Sequence, residues 1–267
     1  MQSVLNALRV LEEVAARQPI GVADLARRLE LPKSSAQRAL RTLHEAGWIR
    51  PAAGEVTRWV VTTKALQVGR RATGELSLRD VALPIMEELR RRIDETVHLT
   101  VPDGDKVVLI ERLETSKPVR IILALGTQLP IHASANGKAV LAASPQEVIG
   151  RQLDAGLEGF TDSTITDKER LLAELARIRE RGYATNGGEW RDDVSAVAAA
   201  VWDESGVPVA SISVNMPTSR MTQEASAAYG AQVCETARQV SAALGHPRQG
   251  AAGGAAGGSQ GGLAAGR

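Results

Sequence analysis

Apolar positions recur at helical spacing from Ser3 to Ala16, where Val4, Leu8, Leu11 and Ala15 form a stripe with Ala7 and Val14 beside it. Gln18-Pro19-Ile20-Gly21 ends that helix, and Val22, Leu25, Ala26 and Leu29 predict a short second one. Pro32 disfavours helical backbone at Leu31, so a third helix starts at Lys33 and runs to Ala46, with Gly47 as its stop. Two β-prone segments, 48–50 and 56–61, flank the turn Pro51-Ala52-Ala53-Gly54 and predict a hairpin. A short helix, a tight turn, a longer helix and a hairpin make a winged helix-turn-helix over residues 1–75.

The pattern then changes. Ser77-Leu78-Arg79-Asp80 opens a helix that reaches Ile93 and is expected to link two domains, as residues 76–93. Strands are predicted at 96–101, 106–113 and 119–125, with Asp103-Gly104 turning the first pair. A helix begins inside the segment 130–142. Ser144-Pro145-Gln146-Glu147 and Thr166-Asp167-Lys168-Glu169 announce two more helices, the second ending at Gly182. Strands follow at 194–201 and 207–214 around the turn Asp203-Glu204-Ser205-Gly206, and a last helix covers 223–244. This order predicts an α+β domain over 94–246, one antiparallel sheet with helices packed on it. Residues 247–267 are expected to be a disordered tail. From Arg248 on, 14 of 20 are Gly or Ala, with almost nothing to bury.

The polar face of the third helix carries candidate chemistry. Ala36, Ala39, Leu40 and Leu43 form its buried stripe. At about 100° per residue, Ser34, Arg38 and Arg41 point the other way, flanked by Ser35 and Gln37. Lys33 stands at the positive helix terminus, where phosphate is attracted. Arg pairs with guanine and Gln with adenine, while Ser and Lys mostly hold the backbone. Arg50 and Arg58 flank the wing and are candidates for backbone or minor-groove contacts, as are Arg27 and Arg28 for phosphates. Ordinary solvent-facing surface is the competing account for these four.

Charge supports the division. Residues 1–75 hold 12 Lys/Arg against 7 Asp/Glu, whereas the remainder holds 20 against 24. A basic first third therefore joins an acidic remainder, so only the first part is suited to a polyanion. No apolar run approaches the roughly 18 residues of a membrane span. Met1-Gln2-Ser3-Val4 lacks the blocks of a signal peptide, so a cytoplasmic location is expected. A single cysteine, Cys234, excludes a disulfide framework and a cysteine-based zinc site. His44, His98, His132 and His246 are scattered without metal spacing, and neither a P-loop nor a dinucleotide fingerprint occurs. Ser134 is not in a nucleophile elbow. No catalytic residue, metal or cofactor is expected, and the chain is not expected to be an enzyme.

The two halves together resemble one family. The run Gly21-Val22-Ala23-Asp24-Leu25-Ala26 followed by Leu31-Pro32-Lys33-Ser34-Ser35-Ala36-Gln37-Arg38 is similar to the DNA-binding domain of IclR-type bacterial transcription regulators. The block His132-Ala133-Ser134-Ala135-Asn136-Gly137-Lys138-Ala139-Val140-Leu141-Ala142 resembles the motif of that family's effector-binding domain, which is related to GAF domains. Arg181-Gly182-Tyr183, Gly188-Glu189 and Ser213-Val214-Asn215-Met216-Pro217 fit as well, over about residues 2–245.

The resemblance implies an operator-binding regulator that acts as a homodimer or tetramer and is controlled by a small organic acid or aromatic metabolite. It implies effector contacts at Ile121, Ala135, Asn136, Asn186, Val194, Ala196, Ser213 and Asn215. Asn186 stands where the family commonly has an acidic residue, Ala196 where a cysteine can occur and Asn215 where serine can occur. Two other readings stay open here: a small-molecule enzyme with an interaction module, and a nucleoid-type DNA binder without a ligand.

Overall fold

The computed structural model describes residues 2–54, 56–72 and 78–247, and the chain divides between Ser77 and Leu78 into two units. The expected Ser77 cap and the Gly/Ala-rich segment after Pro247 lie outside the described residues.

The first unit contains α1 (Gln2–Arg17), α2 (Val22–Arg28), α3 (Lys33–Glu45), β1 (Ile49–Pro51), β2 (Trp59–Val61) and α4 (Lys64–Ala72). Its core joins Val10 and Val14 of α1 to Leu25, Ala39, Leu40, Leu43 and Ile49. The inward stripe of α1 is Ala7, Val10, Leu11 and Val14, one position around the helix from the sequence expectation. Val4 and Leu8, expected to be buried, are 63% and 51% exposed. The hairpin pairs Ile49 with Val61 and Pro51 with Trp59. Its second strand starts at Trp59 rather than Val56, because Trp59 is held from outside the hairpin. Trp59 and Ile20 exchange backbone hydrogen bonds of 3.2 and 2.8 Å, which fix the wing to the α1–α2 connection. Helix α4 was not legible in the pattern. Lys64 Nζ at its start donates to the Ala46 carbonyl at 2.6 Å.

The second unit contains α5 (Leu78–Ile93), β3 (Thr96–Asp103), β4 (Lys106–Leu113), β5 (Gln128–Pro130), α6 (Ala135–Ala143), α7 (Gln146–Ala155), α8 (Lys168–Arg181), β6 (Ala184–Gly187), β7 (Val194–Trp202), β8 (Pro208–Pro217) and α9 (Gln223–Ala243). Six strands form one sheet in the order β5-β4-β3-β8-β7-β6, antiparallel at every pairing. Side chains alternate between its two faces. Val97, Leu99, Val201, Ile212 and Val214 face α5 and α9, which contribute Leu78, Ala82, Met86, Leu89, Val233 and Val240. Helix α5, expected as a linker, thus buries one whole face in this unit. The opposite sheet face packs on α6 through Ala196 and Ala198, with α7 and α8 adding Ile149, Leu171, Leu175 and Ile178.

Three local expectations differ from the structure. Segment 119–125 is not a strand. It is irregular, and the short β5 pairs with β4 in its place. The helix caps are Pro145 and Asp167, each one residue later than Ser144 and Thr166; the Asp167 carboxylate accepts from Arg170 N–H at 2.8 Å. Strand β6 had no sequence signal, since Ala184-Thr185-Asn186-Gly187 is short and poor in β-formers.

The β3–β4 pair contains a bulge. Leu99 lies opposite Glu111, but Thr100 lies opposite Leu109, so Ile110 is the extra residue. The bulge turns Glu111 toward α5, where Arg79 meets it at 2.6 Å. It turns Arg112 to the α6 face, opposite His98.

The chain after β4 is anchored by Asp94, which stands at φ 43°. Its carboxylate accepts from Thr115 Oγ1 at 2.9 Å, Ser116 N–H at 2.9 Å and Ser116 Oγ at 2.8 Å. The two Ser116 bonds, then the Thr115 hydroxyl, hold its pKa down at about 2, against an ordinary 3.8. The sign follows from linkage: a depressed carboxyl stabilises the fold above its unfolded pKa and loses that contribution as pH falls through the folded value. Asp94→Asn is therefore expected to be less stable than wild type at about pH 5. The gap should close as pH falls from about 4 to about 2. Urea melts across that range check it, and a pH-independent gap would show that the charge plays no part.

Candidate functional site

Helix α3 exposes Lys33, Ser34, Gln37, Arg38 and Arg41, and half-buries Ser35, while Ala36, Ala39, Leu40 and Leu43 are buried. The outward row is thus continuous along the helix. Its N-terminus has no side-chain cap. The Ser35 and Ala36 N–H groups bond to the Pro32 carbonyl, so those of Lys33 and Ser34 lack an intrahelical acceptor and present positive dipole ends. Arg38 Nη2 donates to Ser35 Oγ at 3.4 Å, a long contact that leaves the guanidinium free to turn. Arg50 and Arg58 are exposed at the wing. Arg50 reaches the Pro51 carbonyl at 3.4 Å and Arg58 the Pro19 carbonyl at 3.3 Å. Arg27 pairs with Asp24, and Arg28 lies 3.7 Å from Glu13, so both are partly neutralised by neighbours.

In the second unit the start of α6 faces a tight cavity, partly open to solvent, whose free room is about 10 Å³, enough for about one water. Ile121, Ala135, Asn136, Asn186, Val194, Ala196 and Asn215 line it together. Ser213 does not; it stands behind Asn215, whose Nδ2 donates to Ser213 Oγ at 2.8 Å. Leu123, Leu129, Ser134, Trp190 and Arg191 also line the cavity and were not singled out from the sequence. The Arg191 guanidinium stacks over the Trp190 ring at 4.6 Å. The walls are thus mainly apolar, and amides and the α6 N-terminus supply the polar contacts.

That N-terminus is constructed by the His-Ala-Ser block. Ser134 caps α6 by accepting from Gly137 N–H at 3.0 Å, and Lys138 N–H bonds to the Ser134 carbonyl at 2.9 Å. The N–H groups of Ala135 and Asn136 are left without an intrahelical acceptor, which suits a carboxylate. His132 Nε2 lies 2.9 Å from the Glu158 carbonyl, a structural bond. Lys138, 1% exposed, puts Nζ 2.5 and 2.7 Å from the two Glu189 oxygens. Burial pushes the Glu189 carboxyl up, and the Lys138 ammonium opposes that. The Glu189 N–H in turn donates to Asn186 Oδ1 at 2.7 Å. Thr161 and Thr164 hydroxyls hold the Gly188 and Glu189 carbonyls at 2.7 and 2.6 Å.

The sheet below carries a buried polar row. Asn136 Nδ2 donates to Ser211 Oγ at 3.0 Å, and Ser211 shares a 2.7 Å bond with Thr100 Oγ1. Between this pair and Asn215 stands His98, fully buried, opposite Ser213 on one side and Arg112 on the other. Among the described residues neither His98 ring nitrogen has a hydrogen-bond partner, nor do Thr96 Oγ1 and Arg112 Nε. Each such group is destabilising by about 1–3 kcal/mol if left unmet. Desolvation, then the Arg112 charge, pushes the His98 pKa down to about 3.

Cys234 donates from Sγ to the Gly182 carbonyl at 3.2 Å, and burial pushes its thiol up, away from thiolate reactivity. Among the described residues no three His, Cys, Asp or Glu side chains cluster as a metal site would require. None of the described helices is long and apolar enough to cross a membrane.

Residues 3–52 match the family model described as IclR helix-turn-helix domain, and residues 70–242 match that for the bacterial transcriptional regulator IclR C-terminal domain. The chain is 31% identical over 248 residues to the HTH-type transcriptional regulator KdgR of Escherichia coli K12, covering 92% of this chain and 94% of that protein. It is 31% identical over 252 residues to the transcriptional repressor IclR of the same strain, covering 93% and 92%. The crystal structure of the Thermotoga maritima IclR superposes with a TM-score of 0.77 at 27% identity, over 92% of this chain and 100% of that one. An IclR homologue from Microbacterium hydrocarbonoxydans, complexed with 4-hydroxybenzoate, superposes with a TM-score of 0.78 at 27% identity, over 91% and 98%. These relatives are regulators of transcription, not enzymes.

Gly137 is the tightest position in the site. A Cβ there would lie 2.4 Å from Ile131 Cα and from the Ile131 carbonyl oxygen, so backbone must move to admit it. Gly137→Ala is expected to destabilise the second unit by on the order of 3 kcal/mol, the scale of overpacking against atoms that cannot yield. Ser134→Ala, which removes the cap and the 2.7 Å bond from Ser134 Oγ to the Pro130 carbonyl, should lose about 1–2 kcal/mol. Denaturant melts rank the two; equal losses would mean that the approach to Ile131 relaxes freely.

Proposed function

The chain belongs to the IclR family of bacterial transcriptional regulators, and from that premise we propose how its two halves are used. The family plan pairs a helix-turn-helix that binds DNA with a C-terminal domain that binds an effector. In this chain α3 enters the major groove of an operator. Arg38, Gln37 and Arg41 read base edges, and Lys33, Ser34 and Ser35 hold phosphates. Arg50 and Arg58 follow the backbone from the wing. The cavity at the head of α6 takes a small organic acid, with its carboxylate on the Ala135 and Asn136 N–H groups. The observation that carries this reading is the convergence of Ile121, Ala135, Asn136, Asn186, Val194, Ala196 and Asn215, drawn from four separate stretches of chain, on one cavity headed by a helix N-terminus. That a similar protein holds 4-hydroxybenzoate supports a carboxylic acid as the ligand, and the cavity has to widen to admit one.

The protein acts in the cytoplasm, where its DNA is, and as a homodimer that can pair into tetramers. One recognition helix in one groove offers too little contact for genomic selectivity, and a two-fold assembly supplies two. Exposed Val4, Leu5 and Leu8 on α1 offer a surface that a second copy would cover. Effector binding changes operator occupancy only through its different affinity for two arrangements of the assembly.

Two tests address the two halves. With an operator selected from random DNA, Arg38→Ala or Gln37→Ala should relax base preference by about 1–3 kcal/mol at the contacted position. Lys33→Ala should weaken all sequences alike and lower the salt slope by about one phosphate contact. Unchanged binding in all three variants would remove α3 from the interface. In the cavity, Asn136→Asp sets a second negative charge beside the effector carboxylate. At about 4 Å and an effective dielectric near 20 the repulsion is on the order of 4 kcal/mol before solvent relaxation. Effector affinity should fall by roughly one to two decades after relaxation, while the helix-turn-helix unit still binds operator. Because Asn136 is buried and donates to Ser211 Oγ, the second unit should also lose on the order of 1–3 kcal/mol of stability, which a denaturant melt reads separately. Calorimetry with carboxylic acids, beside an operator titration, measures both.

A further inference from the structure

The cavity has free room for about one water, so any organic molecule that enters has to displace a wall. Most of its lining is committed elsewhere. Asn136 donates to Ser211, Asn215 donates to Ser213, and Asn186 Oδ1 accepts from the Glu189 N–H. Val194 and Ala196 lie in β7, and Leu129 lies in β5, which is paired with β4. The segment carrying Ile121 and Leu123 is tied twice, by Arg220 Nη1 to the Val119 carbonyl at 2.9 Å and by Arg112 Nη1 to the Leu123 carbonyl.

Trp190 is the exception. Its half-buried indole makes no hydrogen bond among the described residues. Apolar contact with the cluster of Val107, Leu109, Leu129 and Val140 holds it on one side, and the exposed Arg191 guanidinium stacks on it. The backbone around it is nonetheless fixed. The Glu189 carbonyl accepts from Thr164 Oγ1 at 2.6 Å, the Arg191 carbonyl from the Val194 N–H at 3.0 Å, and the Asp192 carbonyl from Thr218 Oγ1 at 3.0 Å. The ring therefore moves by rotation about its own side-chain bonds.

The indole also has somewhere to go. On the far side of Trp190 and β5 lies a wide hollow with free room of about 660 Å³. Gln128, Pro130, His132, Ala155 and Phe160 line it, and among the described residues Trp190 alone lines both spaces. His132 and the 37% exposed Phe160, with ring centroids 5.8 Å apart, offer a displaced indole an aromatic seat. A side chain with a seat in each space is a two-state element.

We propose that Trp190 is the door of the cavity. Its indole turns out into the neighbouring hollow, the ligand enters along that route, and the rotation sets the size of molecule admitted. What passes the door rests on the cavity being the effector site; the door itself is tested without an effector.

The test uses the full-length protein carrying Cys234→Ser, which keeps a donor toward the Gly182 carbonyl, and Ala196→Cys, which sets a thiol in the cavity wall. Intact-mass spectrometry follows reaction of that thiol with methyl methanethiosulfonate, a small neutral reagent whose labelling rate reports how often the cavity opens. A minor open state is populated at about 0.1–10%, so making it permanent with Trp190→Ala should quicken labelling by about ten- to a thousandfold. Ala155→Trp, at an exposed position on the rim of the hollow, fills the space that the indole needs and should slow labelling severalfold. Denaturant melts establish that each variant is folded. Should Trp190→Ala fail to fold, Ala155→Trp decides alone.

An unchanged rate in Ala155→Trp overturns the door even where Trp190→Ala is fast, because removing any wall opens a hole. An unchanged rate in Trp190→Ala overturns it as well. Stopped-flow binding of 4-hydroxybenzoate and related carboxylic acids then separates the door from the effector reading. Association rates should follow the labelling rates from variant to variant. If labelling responds as expected but none of these acids binds, the door stands and the effector reading falls. If an acid binds and weakens in Asn136→Asp while labelling ignores Ala155→Trp, the effector reading stands and the door is overturned.

Discussion

The buried ion pair between Lys138 and Glu189 is the constraint on which the sensing unit depends. An ammonium at 1% exposure has lost its hydration, and two carboxylate oxygens at 2.5 and 2.7 Å are what replaces it. Taking both charges from water is expensive, so the pair is weak evidence of net stability, but removing one partner costs about 3–5 kcal/mol. Its value is positional. Lys138 lies in the first turns of α6, and Glu189 lies on the β6–β7 loop that brings Asn186, Trp190, Arg191 and Val194 to the cavity. One interaction therefore sets the spacing of two cavity walls. Gly137, pressed on the Ile131 backbone, and Ser134, capping the helix, set the third coordinate by fixing where α6 begins.

The first unit is built on a different principle. Its core is small and aliphatic, and its geometry comes from backbone ties. Trp59 pairs with Ile20, Thr62 Oγ1 holds the Gly47 carbonyl at 2.6 Å, and His44 Nδ1 lies 3.0 Å from the Ile49 carbonyl. These bonds fix the wing relative to α3 while the outward row of α3 keeps only the long Arg38–Ser35 contact among the described residues. A reading surface needs that separation, because a side chain already committed to a strong internal partner must give it up before it can bind a base edge.

How much of this was legible can be traced to particular residues. The polar row of α3 followed from helical angle alone, since its buried positions are unambiguous aliphatics. Seven of the eight effector positions line the cavity, but those came from resemblance to a family, and no spacing rule would have joined Ile121 to Asn215. Segment 119–125 alternates like a strand, and the structure leaves it irregular: Ile121 and Leu123 line the cavity, while Val119, Ile122 and Leu125 remain exposed. Alternation reports two faces and not hydrogen-bond partners, which is why it misled there. Val4 and Leu8 misled for a related reason, since apolar residues at helical spacing do not say which of two adjacent stripes is the buried one. Trp190, Arg191 and His98 matter through three-dimensional neighbours only. The bulge at Ile110 that turns Arg112 toward His98 has no signature in the pattern at all.

A small effector limits how a protein of this family can be switched. Moving a two-state equilibrium from 1:99 to 99:1 requires about 5.5 kcal/mol of differential affinity. A small acid bound at micromolar affinity has about 8.2 kcal/mol in total, and only the contacts made in one arrangement count toward the difference. One site would have to devote about two-thirds of its binding energy to discrimination between states. Two equivalent sites on a dimer halve that demand, to about 2.7 kcal/mol each. That is close to what one charge-assisted hydrogen bond supplies, at about 1.5–3 kcal/mol. A carboxylate contact of the kind proposed at the head of α6 would therefore be large enough to drive the transition, provided that it is made well in one arrangement and poorly in the other. The parts that would set the geometry of that proposed contact are Gly137 on Ile131, the Ser134 cap and the Lys138–Glu189 pair, since together they fix where α6 begins and how far it stands from the β6–β7 loop.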